Sequence, residues 1–100
     1  MIILTFRAKA SSENCNELLQ SLTSMLARVR GQNGCLGCYS YRSIEDSCDF
    51  SFVEQWAGKE HLNAHMRSDL YSVIQGAFRV LTEGHRIDLV GVEDISQWLV

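Results

Sequence analysis

The sequence predicts an α+β fold with the element order β-α-β-β-α-β, and three observations carry that prediction. Four short segments are rich in β-branched and aromatic residues, two longer regions repeat apolar residues at helical spacing, and short polar clusters with serine or glycine separate them. With 100 residues, 46% of them hydrophobic and 21% charged, the chain has the apolar supply of one ordinary globular domain and too much of it for a disordered segment.

Met1 to Lys9 reads as the first strand and ends in the polar cluster Ser11-Ser12-Glu13. From Ser12 to Arg30, Cys15, Leu18, Leu19, Leu22, Met25, Leu26 and Val29 fall on one face of a helix. A serine serves as its N-cap and Gly31 stands just past its end. Cys35–Ile44 and Asp49–Ala57 are strands 2 and 3, joined through Glu45-Asp46-Ser47-Cys48 as a hairpin. Gly58-Lys59-Glu60 opens a second helical region in which Leu62, Met66 and Leu70 share a face. A break is expected near Ser68-Asp69, after which Tyr71–Leu81 continues the helix until Gly84 ends it. Arg86–Val92 is the last strand, and Ile95–Val100 an amphipathic tail suited to packing on a partner subunit.

This order is the ferredoxin-like arrangement, an antiparallel sheet with both helices on one face. Strand 3 carries Phe50, Phe52 and Trp56 on one side and Val53 on the other, and strands 1 and 4 are apolar in near-continuous runs. A second apolar sheet face asks for cover, and a second copy packing sheet against sheet supplies it, so a homodimer is expected.

The formal net charge of -3 offers no basic field for nucleic acid or anionic lipid. No apolar run approaches the roughly 20 residues of a membrane span, and no signal peptide is visible, so a cytoplasmic protein is expected. The four cysteines, Cys15, Cys35, Cys38 and Cys48, are then expected as reduced thiols. Cys35 and Cys38 form a CxxC at the start of a strand, where residues three apart point to opposite faces, and no second ligand pair accompanies them. They read as packing thiols, and no metal or cofactor site is expected.

His65 is the candidate for proton transfer, because an imidazole exchanges protons near neutral pH and Glu54 on strand 3 could orient or charge it. The competing reading is a helix histidine bonded into the helix–sheet interface, with Glu54 in a cross-strand salt bridge. His61 and His85 read as surface or cap residues. Tyr39, Tyr41, Phe50, Phe52 and Trp56 concentrate in the central hairpin and suit either a planar apolar ligand or an ordinary core. Arg42 and Arg7 could reach a ligand oxygen at the rim or pair with Glu45, Glu54 or Asp46.

The segments Gly34-Cys35-Leu36-Gly37, Tyr41-Arg42-Ser43, Glu45-Asp46, Glu54-Gln55-Trp56 and Leu62-Asn63-Ala64-His65-Met66 resemble the antibiotic biosynthesis monooxygenase family. The resemblance covers almost the whole chain and is most specific between Gly34 and Met66. It implies a dimeric α+β barrel, a single domain over residues 1–100, and an oxygenase acting on small phenolic or quinol-type aromatics with O₂. No metal, flavin or haem is implied, since the substrate's own anion supplies the electrons.

Carried over residue by residue, the resemblance makes His65 the base or hydrogen-bond partner, and Trp56 and Tyr41 pocket walls. Glu54 becomes the partner of His65. Phe52 and Arg42, from the residue reading, complete the expected substrate-binding set. Cys38 replaces a tyrosine of the family pattern, and Leu70-Tyr71 stands where a second histidine is frequent. A haem-degrading branch uses asparagine, tryptophan and histidine where this chain has Phe6, His65 and Gln75, which argues against haem degradation. Two other readings stand beside the oxygenase: a non-catalytic dimeric barrel that binds an apolar metabolite, and isomerase or degradative chemistry on a small signal molecule.

Overall fold

The computed structural model describes residues 1–91; the last position expected for strand 4, Val92, and the tail Ile95–Val100 lie outside them. The order is β1 (Ile2–Ala10), α1 (Cys15–Arg30), β2 (Cys35–Arg42), β3 (Asp49–Trp56), α2 (Lys59–Met66), α3 (Asp69–Leu81) and β4 (Thr82–Gly91). The strands form one antiparallel sheet in the order β2-β3-β1-β4. α1 packs on β2 and α3, and α3 packs on β4, so the helices lie on one face.

Alternation fixes that face. Leu4, Phe6, Ala8 and Ala10 of β1 and Phe50, Phe52, Glu54 and Trp56 of β3 are buried beneath the helices, whereas the intervening residues are not. The register aligns Cys38, Glu54, Leu4 and Leu89 in one row across the four strands, and Ser40, Phe52, Phe6 and Ile87 in the next. Leu18, Leu22, Met25 and Val29 of α1 and Ile74, Phe78 and Leu81 of α3 close the core from above. The outer face carries Ile3, Thr5, Val53, Tyr39, Tyr41 and Val90, of which Tyr39, Tyr41 and Val90 are exposed.

The helix break falls where the polar cluster places it. Ser68 adopts an extended conformation and its Oγ accepts from the Tyr71 backbone N–H at 3.3 Å, so one serine ends α2 and caps α3. Two boundaries move. Residues 12–14 form a turn, with Ser11 Oγ accepting from Asn14 N–H at 3.3 Å, and α1 begins at Cys15 without a serine side-chain cap. α3 ends at Leu81, where Thr82 turns extended and its hydroxyl donates to the Phe78 carbonyl; Gly84 lies inside β4.

The expectation of four reduced thiols fails at Cys15 and Cys48, which form a disulfide with Cα atoms 5.2 Å apart. The cause is the β1–β3 pairing. Lys9 opposes Asp49, and Ala10 N–H donates to the Cys48 carbonyl at 2.9 Å, which brings the start of α1 onto the β2–β3 loop. Lys9–Asp46 at 2.7 Å and Arg7–Asp49 at 3.3 Å ring the same end of the sheet.

At the other end Gly34 has φ of 82°, the left-handed region that glycine enters at no steric cost. A side chain there would also run into the His61 ring, which lies over it, while the Gly34 carbonyl accepts from Ala57 N–H at 2.8 Å. That glycine lets the chain pass from α1 into β2 close against the start of α2.

Candidate active site

The site begins with period-2 alternation in β3, which turns both Glu54 and Trp56 toward the helices. α2 follows after a two-residue turn and lays His65, in its last turn, above them. His65 Nε2 stands 2.7 Å from Glu54 Oε1, and both side chains are 0% exposed. The contact falls short of an aligned hydrogen bond, and Glu54 Oε2 and His65 Nε2 are both buried with no hydrogen-bond partner among the described residues. The indole N–H of Trp56 donates to Glu54 Oε1 at 3.1 Å, and the Trp56 ring stacks on the imidazole with centroids 4.5 Å apart. Tyr71 of α3 meets His65 edge-on at 5.4 Å.

The other ring nitrogen is also engaged. His65 Nδ1 lies 2.5 Å from Gln32 Oε1, on the loop that follows α1. Gln32 Nε2 donates to Ser68 Oγ at 3.4 Å, and the Ser68 hydroxyl donates to the His65 carbonyl at 2.6 Å. This chain of donors assigns the amide orientation, and with it the proton on His65 Nδ1, because an amide oxygen only accepts.

The contact on Nε2 constrains which protons the pair can carry. If neither group carried the second proton, a bare nitrogen would face a carboxylate in a low-dielectric interior; if both did, an imidazolium would be buried unpaired. The indole N–H of Trp56, donating to the same Oε1, suits a carboxylate at this place, facing Nε2 of the ring.

The field of that carboxylate reaches its neighbours. Burial first, and the Glu54 charge second, push the Tyr71 hydroxyl above its ordinary value. The same two causes push the Cys38 thiol up to about 12. The CxxC is corrected in one respect: a β-bulge between Cys35 and Gly37 pairs Cys35 with Trp56 and Cys38 with Glu54, so both sulfurs face the helices rather than opposite sides. They remain free thiols. Among the described residues no group of three or more His, Cys, Asp or Glu is arranged to hold a metal ion.

A thiol held protonated when folded but ionising near 8.5 when unfolded contributes stability that is complete below about pH 8.5 and is lost as the pH rises toward 12. The expected result is an alkaline decline in unfolding free energy that flattens in Cys38→Ala, measured by urea titration between pH 8 and 10.5. A slope identical in the two proteins would contradict it.

Of the remaining expected site residues, the structure brings Trp56 and Glu54 to His65 and leaves the others apart. Phe52 is a core residue one row along from Glu54. Tyr41 lies on the outer sheet face, because it pairs with Ser51 rather than with a buried position of β3. Arg42 pairs with Phe50 at the far end of the hairpin, and with Tyr41, Arg7 and Asp49 it lines an open cleft of about 270 Å³. His61 covers Gly34, and His85 is exposed on β4. Gln32 carries no sequence signal beyond its place two residues before Gly34.

Fold and site together define a ferredoxin-like α+β domain built around a buried carboxylate–imidazole pair. A model of the antibiotic biosynthesis monooxygenase family matches residues 1–77, and the chain belongs to that family. Its fold is shared by a candidate antibiotic biosynthesis monooxygenase from Deinococcus radiodurans, with a TM-score of 0.87 at 20% identity over 94% of each chain. Rv0793 from Mycobacterium tuberculosis superposes with a TM-score of 0.84 at 17% identity, over 95% of this chain and 97% of that one. For PA3566 from Pseudomonas aeruginosa the TM-score is 0.80 at 22% identity, over 93% and 94%. No curated protein matches the sequence. No helix among the described residues is long and apolar enough to cross a membrane.

Proposed function

We propose that the protein is a monooxygenase of small phenolic or quinol substrates, working as a homodimer, in which Glu54 and His65 handle the substrate's proton. The observation that carries this reading is the buried Glu54–His65 contact with Glu54 Oε2 left unpartnered, since a hydroxyl donor is the group that such an oxygen lacks. His65 Nδ1 is engaged by Gln32 and Nε2 is closed off against Glu54 Oε1, so in this reading Glu54 Oε2 is the proton acceptor and His65 the positive charge beside it. Once the carboxylate has taken the phenolic proton, the site carries one net positive charge against the phenolate, which stabilises the anion that reacts with O₂. Conversion of a phenol to a quinone balances without an external reductant. One oxygen atom enters the ring, the other leaves as water, and the substrate supplies all four electrons.

Oxygen uptake with a panel of hydroquinones and polyphenols tests the reading. Wild type is expected to consume oxygen with at least one of them, and Glu54→Gln and His65→Ala to lose about 100-fold or more. Unchanged rates in both variants would remove the pair from the reaction. The homodimer is supported by the outer face, where the exposed Tyr39, Tyr41 and Val90 flank Val53 and Ile3.

A second reading has its own observation. The pair is fully enclosed, and the clefts of about 270, 380 and 220 Å³ are lined by other residues. That enclosure favours a non-catalytic barrel for an apolar metabolite, which predicts no oxygen uptake with any member of the panel. An isomerase or degradative enzyme for a small signal molecule would use the same pair without oxygen.

A further inference from the structure

We infer that Gln32 is a positioning residue: its side-chain oxygen holds the proton on His65 Nδ1, so that the positive face of the ring is turned to Glu54. The inference deepens the function proposed above and rests on it for its catalytic meaning, though not for its geometry. Three observations converge. Gln32 Oε1 is the acceptor for Nδ1 at 2.5 Å. The Gln32 amide is itself oriented by Ser68, whose hydroxyl also donates to the His65 carbonyl and whose oxygen caps α3. One loop residue is thereby tied to the end of α2 and the start of α3 at once. On the far side of the ring, Nε2 meets the Glu54 carboxyl group and Trp56 stacks on the imidazole plane, so the ring is held from three directions.

Without an acceptor at Nδ1, the arrangement that satisfies Glu54 at least cost is a neutral ring with its proton on Nε2. The pair would keep its contact and lose its positive charge. Proton transfer from a phenol to Glu54 would then create an unpaired phenolate, and the site would bind the neutral phenol instead. Gln32 thus decides which charge state the pair can offer, acting through His65.

Nitrogen-15 spectra of the histidine side chains in the substrate-free protein at neutral pH test this directly. Wild type is expected to show His65 protonated on both ring nitrogens. Gln32→Leu is expected to show a neutral ring protonated on Nε2 alone, and Gln32→Glu, which keeps an acceptor at the same place, to restore the Nδ1 proton. With any hydroquinone that wild type oxidises, turnover should fall on the order of tenfold or more in Gln32→Leu and recover in Gln32→Glu. A bare Nδ1 in the wild type would overturn the inference, as would a ring in Gln32→Leu protonated as in wild type, even if that variant were less stable. Because the spectra need no substrate, a protein that consumes no oxygen leaves this test standing while the monooxygenase reading fails.

Discussion

His65→Leu is expected to destabilise the protein by about 3–5 kcal/mol at pH 7–8, because it strands the Glu54 carboxylate in the core without a counter-charge. In a domain of this size that lowers the melting temperature by on the order of 15–30 °C. The cost has two identifiable parts, the lost stacking on Trp56 and the buried charge. The second disappears when the carboxylate is removed as well.

Glu54→Leu should cost less at pH 7–8, since it leaves behind an imidazole that keeps its Gln32 contact rather than an isolated carboxylate. The double variant with leucine at both positions should recover much of the loss, as apolar replacements of buried ion pairs commonly do. Urea titration of the four proteins checks the whole cycle. Equal losses in the two single variants, with additive loss in the double, would show that the two groups are not a coupled pair.

Reduction of the Cys15–Cys48 disulfide is expected to produce the second large effect. The bridge joins cysteines 33 positions apart in the sequence, and releasing such a loop costs about 3–4 kcal/mol through the entropy returned to the unfolded chain. Thermal melts with and without dithiothreitol should therefore separate by on the order of 12–30 °C, and the Cys15→Ser, Cys48→Ser double variant should melt with the reduced protein and ignore the reductant.

The site should not respond. Cys48 stands just before β3 and Trp56 at its end, so the bridge and the Glu54–His65 pair are separated by most of the strand's roughly 25 Å. A wild-type melt unmoved by reductant would mean that the two sulfurs are not joined in the folded protein.

Much of the frame was legible because local rules and the fold agree. β3 alternates Phe50, Phe52, Glu54 and Trp56 inward, α1 keeps one apolar stripe, and Ser68 marks the break between α2 and α3 as only an N-capping side chain would. The helix boundaries that moved did so for reasons of geometry. A turn stands ahead of α1, and Thr82 rather than Gly84 turns the chain out of α3.

What the sequence could not reveal depends on register. Tyr41 and Arg42 sit in a strand whose alternation is plain, but only pairing with β3 decides that Tyr41 faces outward and that Arg42 sits far from His65. The bulge after Cys35 shifts the phase of β2 and brings two thiols to one side that simple alternation separates. Cys15 and Cys48 look like isolated thiols until β1 is laid against β3. Glu54 and His65 could be suspected as neighbours from their elements, yet Gln32 comes from a loop more than 30 residues earlier in the chain.

The most direct measurement of the central claim is the fate of the oxygen. A phenol oxidised by the protein under ¹⁸O₂ and analysed by mass spectrometry is expected to carry one labelled atom per molecule, with the second label in water, and Glu54→Gln should abolish the incorporation. A product formed without label, or labelled to the same extent by the Glu54→Gln protein, would contradict a monooxygenase built on the Glu54–His65 pair.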